Sequence, residues 1–288
     1  MITDNQRSKR MNYLGSSDSA AIVGVDPFKT AADVYWSKVN ELEEGKSTPA
    51  KDAGNLLEDS VLDWFEKETG KKIRRNQFRV HSNKIMSANF DALIVGNKEE
   101  VVEAKTSGIT GPLNYEQWGE VGTDQVPEHI IVQCQHQMSI IPTIKIVWVP
   151  VLLGGVGFCM YKVERDDSLI KNLEEVEVNF WQEHVEKKQA PADEWLSLET
   201  VKRIKRVSGK SVKVEDDLVT EWLEARKKAT EAENAKREIQ KKLFSIIGDA
   251  EIGECSFGKV TYFEQQVKEK IIPAQSYRVA RFKKGVAA

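Results

Sequence analysis

Cysteine is scarce in this 288-residue chain: Cys134, Cys159 and Cys255 stand far apart, with no Cys-x-x-Cys pair. That excludes a disulfide framework and gives no zinc-site spacing, and it suits a reducing, cytoplasmic setting. An apolar leader is also lacking, since MITDNQRSKR has no hydrophobic core, so no secretory segment is expected. Long hydrophobic runs are absent too. The longest, residues 146–158, is interrupted by Pro150 and by Gly154-Gly155, and is too short and broken to span a bilayer, so no membrane partner is expected. Internal repeats and low-complexity tracts are missing, which excludes solenoids and arrays. Excess positive charge is missing as well: the net charge is −3 and the pI about 6.0, so a basic groove, if present, is local.

What is present is patterned for an α/β domain. Gly15-Ser16-Ser17-Asp18 marks a turn before a small-residue helix that Gly24 ends, and Thr30 is a candidate N-cap for a helix over 31–40. The serines suit helix capping; with Arg10 upstream they equally suit an anion site. Residues 41–52 read as a loop, and 54–69 as a helix with Leu57, Val61, Leu62, Trp64 and Phe65 on one stripe, ended by Gly70. Glu58 falls beside that stripe, where it either reaches water at the edge or serves as a ligand.

Three strands are predicted next, over 72–81, 84–95 and 100–105, with turns at Ser82-Asn83 and Gly96-Asn97. A glycine-rich loop containing Tyr115 and Trp118 follows, then a helix opened by Pro127-Glu128 with Ile131, Cys134, Met138 and Ile141 at core spacing. Gln133 and Gln137 share an adjacent face of it. Runs at 143–153 and 156–164 form a hairpin through Gly154-Gly155, and a helix over 168–188 closes a first domain at 1–190. The layered order implies a mixed β-sheet flanked by helices.

Residues 191–288 read as an appendage. The segment 201–213 holds six basic residues and no acidic one, suiting either a phosphate backbone or a solvated linker. A long charged helix over 216–247 places Trp222, Ala225, Ala229, Ala232, Ile239, Leu243 and Ile246 at heptad spacing, broken by Lys236. Its small alanines favour an arm packed on its own domain or on a neighbouring subunit over a strong independent coiled coil. A terminal hairpin is expected from runs at 254–267 and 275–282.

The chemistry concentrates in NFDALIVGNKEEVVEAK, residues 89–105. Period-two alternation puts Asp91, Leu93 and Val95 on one face of a strand, and Val101, Glu103 and Lys105 on one face of the next. A hairpin through Gly96-Asn97 would bring two carboxylates and an ammonium together. Adjacent carboxylates raise each other's pKa unless a cation sits between them, which is what a Mg²⁺ site needs. As a bare pattern, D…ExK also fits surface charge.

Four motifs in order resemble the YqaJ-like viral recombinase and lambda-exonuclease branch of the PD-(D/E)XK nuclease superfamily. They are Arg10 with Gly15-Ser16-Ser17-Asp18 and Ala21 to Phe28; Gly54 to Glu58 with Phe65 to Gly70; Asp91 with Glu103-Ala104-Lys105; and Gln133-Cys134-Gln135-His136-Gln137-Met138. The resemblance implies a restriction-endonuclease-like core with a C-terminal helical arm and β-hairpin. It implies Mg²⁺ ligation, by two ions with Mn²⁺ as a substitute, through Asp91, Glu103, Glu58 and the Ala104 carbonyl. Lys105 takes the place of the catalytic lysine and Gln133 that of a glutamine near the scissile phosphate, while Arg10 and Ser17 correspond to binders of the terminal 5′-phosphate.

The implied activity is 5′→3′ digestion of one strand at double-stranded DNA ends, for recombination by single-strand annealing in a phage or prophage setting within a bacterial cytoplasm. An annealing protein is the implied partner, and a homo-oligomer, as a trimer, the implied assembly. An endonuclease on the same core and a catalytically inactive DNA-binding recombination protein are the alternatives. The chain departs from the family in having Asn89-Phe90-Asp91-Ala92 in place of Ser-Pro-Asp-Gly, and in having no arginine between Lys105 and Arg165.

Overall fold

The computed structural model describes residues 11–40, 47–109, 118–192, 195–204, 207–262 and 264. The chain divides into two compact units, Met1–Arg206 and Val207–Ala288. Residues 195–204 belong to the first unit and are tied there: Ser197 N–H donates to Asp33 Oδ1 at 2.9 Å, and the Thr30 hydroxyl to the Trp195 carbonyl.

In the first unit, strand β1 (Leu14–Gly15) leads directly into helix α1 (Ser16–Ile22). The cap of α1 is not serine-made; Asp18 Oδ2 accepts the Gly15 N–H at 3.1 Å. Helix α2 (Ala31–Val39) carries the expected Thr30 cap, completed by Asp33 reaching back to the Thr30 N–H. Helix α3 (Pro49–Thr69) starts earlier than its apolar stripe, inside the stretch expected to be loop. Thr48 accepts the Lys51 N–H, and Pro49 sits at a first-turn position where its missing N–H costs nothing. Gly70, at φ 68°, ends it as expected.

Strands β2 (Ile73–Val80), β3 (Met86–Ile94), β4 (Glu100–Val102) and β5 (Lys105–Ser107) follow, then α4 (Glu128–Ile140), β6 (Ile146–Leu153), β7 (Gly157–Glu164) and α5 (Asp167–Phe180). The expected single helix over 168–188 leaves α-geometry at Phe180 and continues as a π-helical turn, Trp181–Glu186, before the short α6 (Leu198–Arg203). All seven strands of this unit form one mixed sheet. β3 pairs antiparallel with β2 and β4 and parallel with β1, while β6 pairs parallel with β4 and β5 and antiparallel with β7.

Helices cover both faces of the sheet. On one, Ile130, Cys134 and Met138 of α4 pack with Ala88, Phe90, Val101, Val147, Val149 and Val151; on the other, Leu62 and Phe65 of α3 pack with Ala92, Ile94 and Val102. Ala88 and Phe90 thus face α4 while Ala92 and Ile94 face α3, although all four are even-numbered. The alternation slips at Asp91, as it does at a bulge. Asn76, which the register places opposite Asp91, is left-handed at φ 55° and drops out of the β2 ladder.

The second unit consists of α7 (Asp216–Ile247) and a hairpin of β8 (Ile252–Cys255) and β9 (Gly258–Thr261). The hairpin is tighter than expected and closes within the first predicted run, because Ser256-Phe257 supplies the turn; residues 275–282 lie outside the described residues. Among the described residues, no helix is long and apolar enough to cross a membrane.

Candidate active site

The predicted strand over 100–105 is broken at Glu103-Ala104, and the break makes the site. The register that pairs Val102 with Trp148 and Lys105 with Val151 sets Pro150 against Ala104. Pro150 has no N–H to donate, so the ladder stops and resumes one step later. Asp91 fills the gap from the other side, its Oδ2 accepting the Ala104 N–H at 2.8 Å. The β3–β4 register, Ala92 with Val102, places Asp91 opposite Glu103. Like charges directly opposite on paired strands repel, so the arrangement weakens the sheet it interrupts.

Glu103 and Lys105 share the face that meets α4, as alternation predicts. Lys105 Nζ lies 2.5 Å from Glu103 Oε1 and 3.0 Å from Gln133 Oε1, and Gln133 Nε2 donates to the same Glu103 oxygen. Gln137, one turn further along α4, donates to Glu103 Oε2 at 2.6 Å. Glu103 is buried, and its carboxylate holds three donors. Gln137 has no exposed surface, and its Oε1 finds no hydrogen-bond partner among the described residues. Sequence reasoning groups it with Gln133 but assigns it no role; the spacing of four on a helix face is the available signal.

The electrostatics follow from burial. Burial and then the neighbouring Glu103 push the Asp91 carboxyl well above the usual carboxylate range, with Glu58 adding to the effect. Glu58, half-buried on α3, is raised by burial and by Glu103. Burial pulls Lys105 down, but Glu103 and Asp91 outweigh it and hold the ammonium charged. Helix α3 passes this strand at Gly54, where a Cβ would make an ordinary contact 3.6 Å from Thr106 Oγ1.

Glu58, Asp91, Glu103, Ala104, Lys105 and Gln133 therefore converge on one end of the sheet. Ser17 is exposed in the first turn of α1, and Arg10 lies outside the described residues. Among the described residues, no three His, Cys, Asp or Glu side chains are already arranged to enclose a metal. The donor chemistry still suits a hard cation, offering only oxygens from facing carboxylates that repel each other. A carboxylate has about four lone-pair positions, so after its three donors Glu103 keeps one and Asp91 keeps three.

Two buried polar groups beside the site are structural. Gln135 bridges the end of β7 to the start of α5 through the Glu164 carbonyl at 2.7 Å and the Asp166 N–H at 3.0 Å. His136 places Nε2 2.9 Å from the Ser87 carbonyl and Nδ1 within 3.0 Å of Glu177, which also accepts the Ser19 hydroxyl. Two acceptors facing both ring nitrogens call for the imidazolium. Glu177 outweighs burial and raises the His136 pKa accordingly. Asp18 is held far below the usual carboxylate range, because Lys29 and Lys38 overcome its burial.

A mixed sheet with helices on both faces is a fold this chain shares with solved structures. It is similar to an alkaline exonuclease (LHK-Exo) from Laribacter hongkongensis, with a TM-score of 0.51 at 17% identity over 65% of this chain and 94% of that one. The same enzyme in complex with dAMP matches with a TM-score of 0.50 at 18% identity, over 65% and 94% of the two chains.

Residues 5–143 match the family model of the YqaJ-like viral recombinase domain. The uncharacterized protein YqaJ of Bacillus subtilis (strain 168) is 29% identical over 264 residues, covering 88% of this chain and 81% of that protein.

Proposed function

We propose that the protein is a divalent-metal-dependent deoxyribonuclease that digests one strand of linear duplex DNA from a 5′ end. The observation that carries the reading is the grouping of Asp91, Glu103 and Lys105 at the strand break, gripped from α4 by Gln133. A protein that only bound DNA would gain nothing from buried acids facing phosphates.

Mg²⁺, or Mn²⁺ in its place, would be held by Asp91, Glu103 and the Ala104 carbonyl with Glu58 at the rim, and one or two such ions supply a Lewis acid and a water acidic enough to attack a phosphodiester. Lys105 stays protonated, so its part is to hold the attacking water or a phosphoryl oxygen and to stabilise negative charge there, not to abstract a proton. Gln133 accepts from Lys105 and donates to Glu103, and so sets the angle between the ammonium and the acid. Ser17, exposed at the start of α1, and Arg10 are assigned to the terminal phosphate on family resemblance. Single strand exposed in this way suits an annealing partner in phage-type recombination, and the trimeric assembly of lambda-exonuclease relatives would add processivity.

The test uses the full chain on end-labelled linear duplex, with 5′-phosphate or 5′-hydroxyl ends, with and without Mg²⁺. Metal-dependent release from phosphorylated 5′ ends, abolished by Lys105→Ala, is the expected result. Undiminished digestion by that variant would sink the proposal, and nicking of covalently closed circles would move it to an endonuclease.

A further inference from the structure

One face of α4 carries a row of side chains that leads out of the site. Gln137, Gln133 and His129 follow one another at intervals of four, about 6 Å apart along the helix, so they stand on one face in line. The strand beneath advances by nearly the same amount, about 6.6 Å, for every two residues. Gln137 holds Glu103 Oε2, and Gln133 holds Glu103 Oε1 and Lys105 Nζ. The next step along the row carries His129 past Lys105. Exposure rises the same way: Gln137 has no surface, while Gln133 and His129 are half-buried.

The His129 ring makes no hydrogen bond among the described residues. Two charged groups act on it from other elements. They are Asp26, whose Oδ1 accepts the Phe28 and Lys29 N–H groups in the turn after α1, and Lys105. Burial holds the His129 pKa below the ordinary 6.5, with Asp26 pulling it up and Lys105 down. At neutral pH the ring is therefore uncharged, with both nitrogens open.

We propose that His129 is a substrate-binding residue that takes the DNA phosphate adjoining the scissile one. This rests on the nuclease function proposed above, in which Glu103 and Lys105 sit at the scissile phosphate. One step of the row is comparable to the distance between successive phosphates of a strand, so the adjoining phosphate falls at His129. Its negative charge favours the imidazolium and draws a proton from solvent onto the ring, which turns the contact into a charge-assisted hydrogen bond. Duplex binding then takes up a proton and is tighter at low pH.

Anisotropy of a fluorescein-labelled linear duplex, titrated with the full chain in the absence of divalent metal between about pH 6 and pH 8.5, tests this without cleavage. Wild-type affinity is expected to fall roughly tenfold as pH rises. His129→Gln should match wild type at the alkaline end and fall short at the acid end, where its salt slope is smaller by about 0.9. His129→Arg, a permanent cation, should bind tightly across the range. Binding by His129→Gln equal to wild type at the acid end, weakening by the same factor at every pH, or a His129→Arg variant that keeps the wild-type pH dependence would each overturn the proposal. Digestion left intact by Lys105→Ala overturns the nuclease function instead, whatever His129 does.

Discussion

Helices α4 and α7 make opposite use of polar and apolar residues. α4 runs 13 residues and is buried along nearly its whole length, yet it carries Gln133, Gln135, His136 and Gln137 in its middle. Each has a named partner on a strand or another helix: Glu103, the Glu164 carbonyl, Glu177 and again Glu103. α7 runs 32 residues of which only Ile247 is buried among the described residues, and its conspicuous groups are the exposed apolar Leu218, Ile239 and Ile246. A buried polar side chain must find a partner or cost about 1–3 kcal/mol, so its presence reports a contact. An exposed apolar group carries no such cost, and by itself it reports no contact.

The sharpest break in this comparison comes at the site end of α4. Glu103→Gln or Lys105→Ala should lower DNA digestion by about 10²-fold or more, since charge at the reacting phosphate is lost, with circular dichroism at the assay temperature still showing folded protein. Next is Gln137→Leu, which strips a donor from a buried carboxylate. Denaturant unfolding should show a loss of about 1–3 kcal/mol, and digestion should fall with it; Gln133→Leu, half-buried, should cost less stability and as much activity.

The His136–Glu177 pair gives a pH test. With its pKa raised above the ordinary 6.5, His136 keeps a proton in the folded state that the unfolded chain releases. Its stabilising contribution is therefore fully present below about pH 6.5 and is lost as pH rises through the raised value. Unfolding free energy measured from pH 6 upward should fall in wild type, and His136→Gln should lower the acid side and flatten that slope. Smallest of all, Lys241→Ala on α7 removes an exposed pair with Glu238 and should move stability by no more than about 0.5 kcal/mol.

Much of the site is legible in the sequence because its parts are close along the chain or carry local rules. Turn residues at Gly96-Asn97 bring Asp91 and Glu103 close on adjacent strands, and period-two alternation sets Glu103 beside Lys105; the register that puts Asp91 directly opposite Glu103 needs a loop of a different length from Gly96-Asn97 alone. The early start of α3 is legible in principle, since Thr48-Pro49 is a cap and first-turn pair, but the polar composition of residues 47–53 masks it. The strand break is not legible, although Pro150 is plain in the opposing strand, because its effect depends on which residue the register brings against it. The slip at Asp91 depends likewise on Asn76, from a different strand, adopting a left-handed backbone.

The sequence alone determined most of the elements and the spacing of Asp91, Glu103 and Lys105, because alternation, capping and turn chemistry act over a few residues. Tertiary structure decided which groups touch. Gln137 became a holder of Glu103, and His136 a charged partner of Glu177 across 41 residues, only because sheet packing brought α4 over the interrupted strand and α5 against α4. Contacts between distant segments are settled by burial, where each polar atom must be matched in three dimensions, and no local pattern encodes the match.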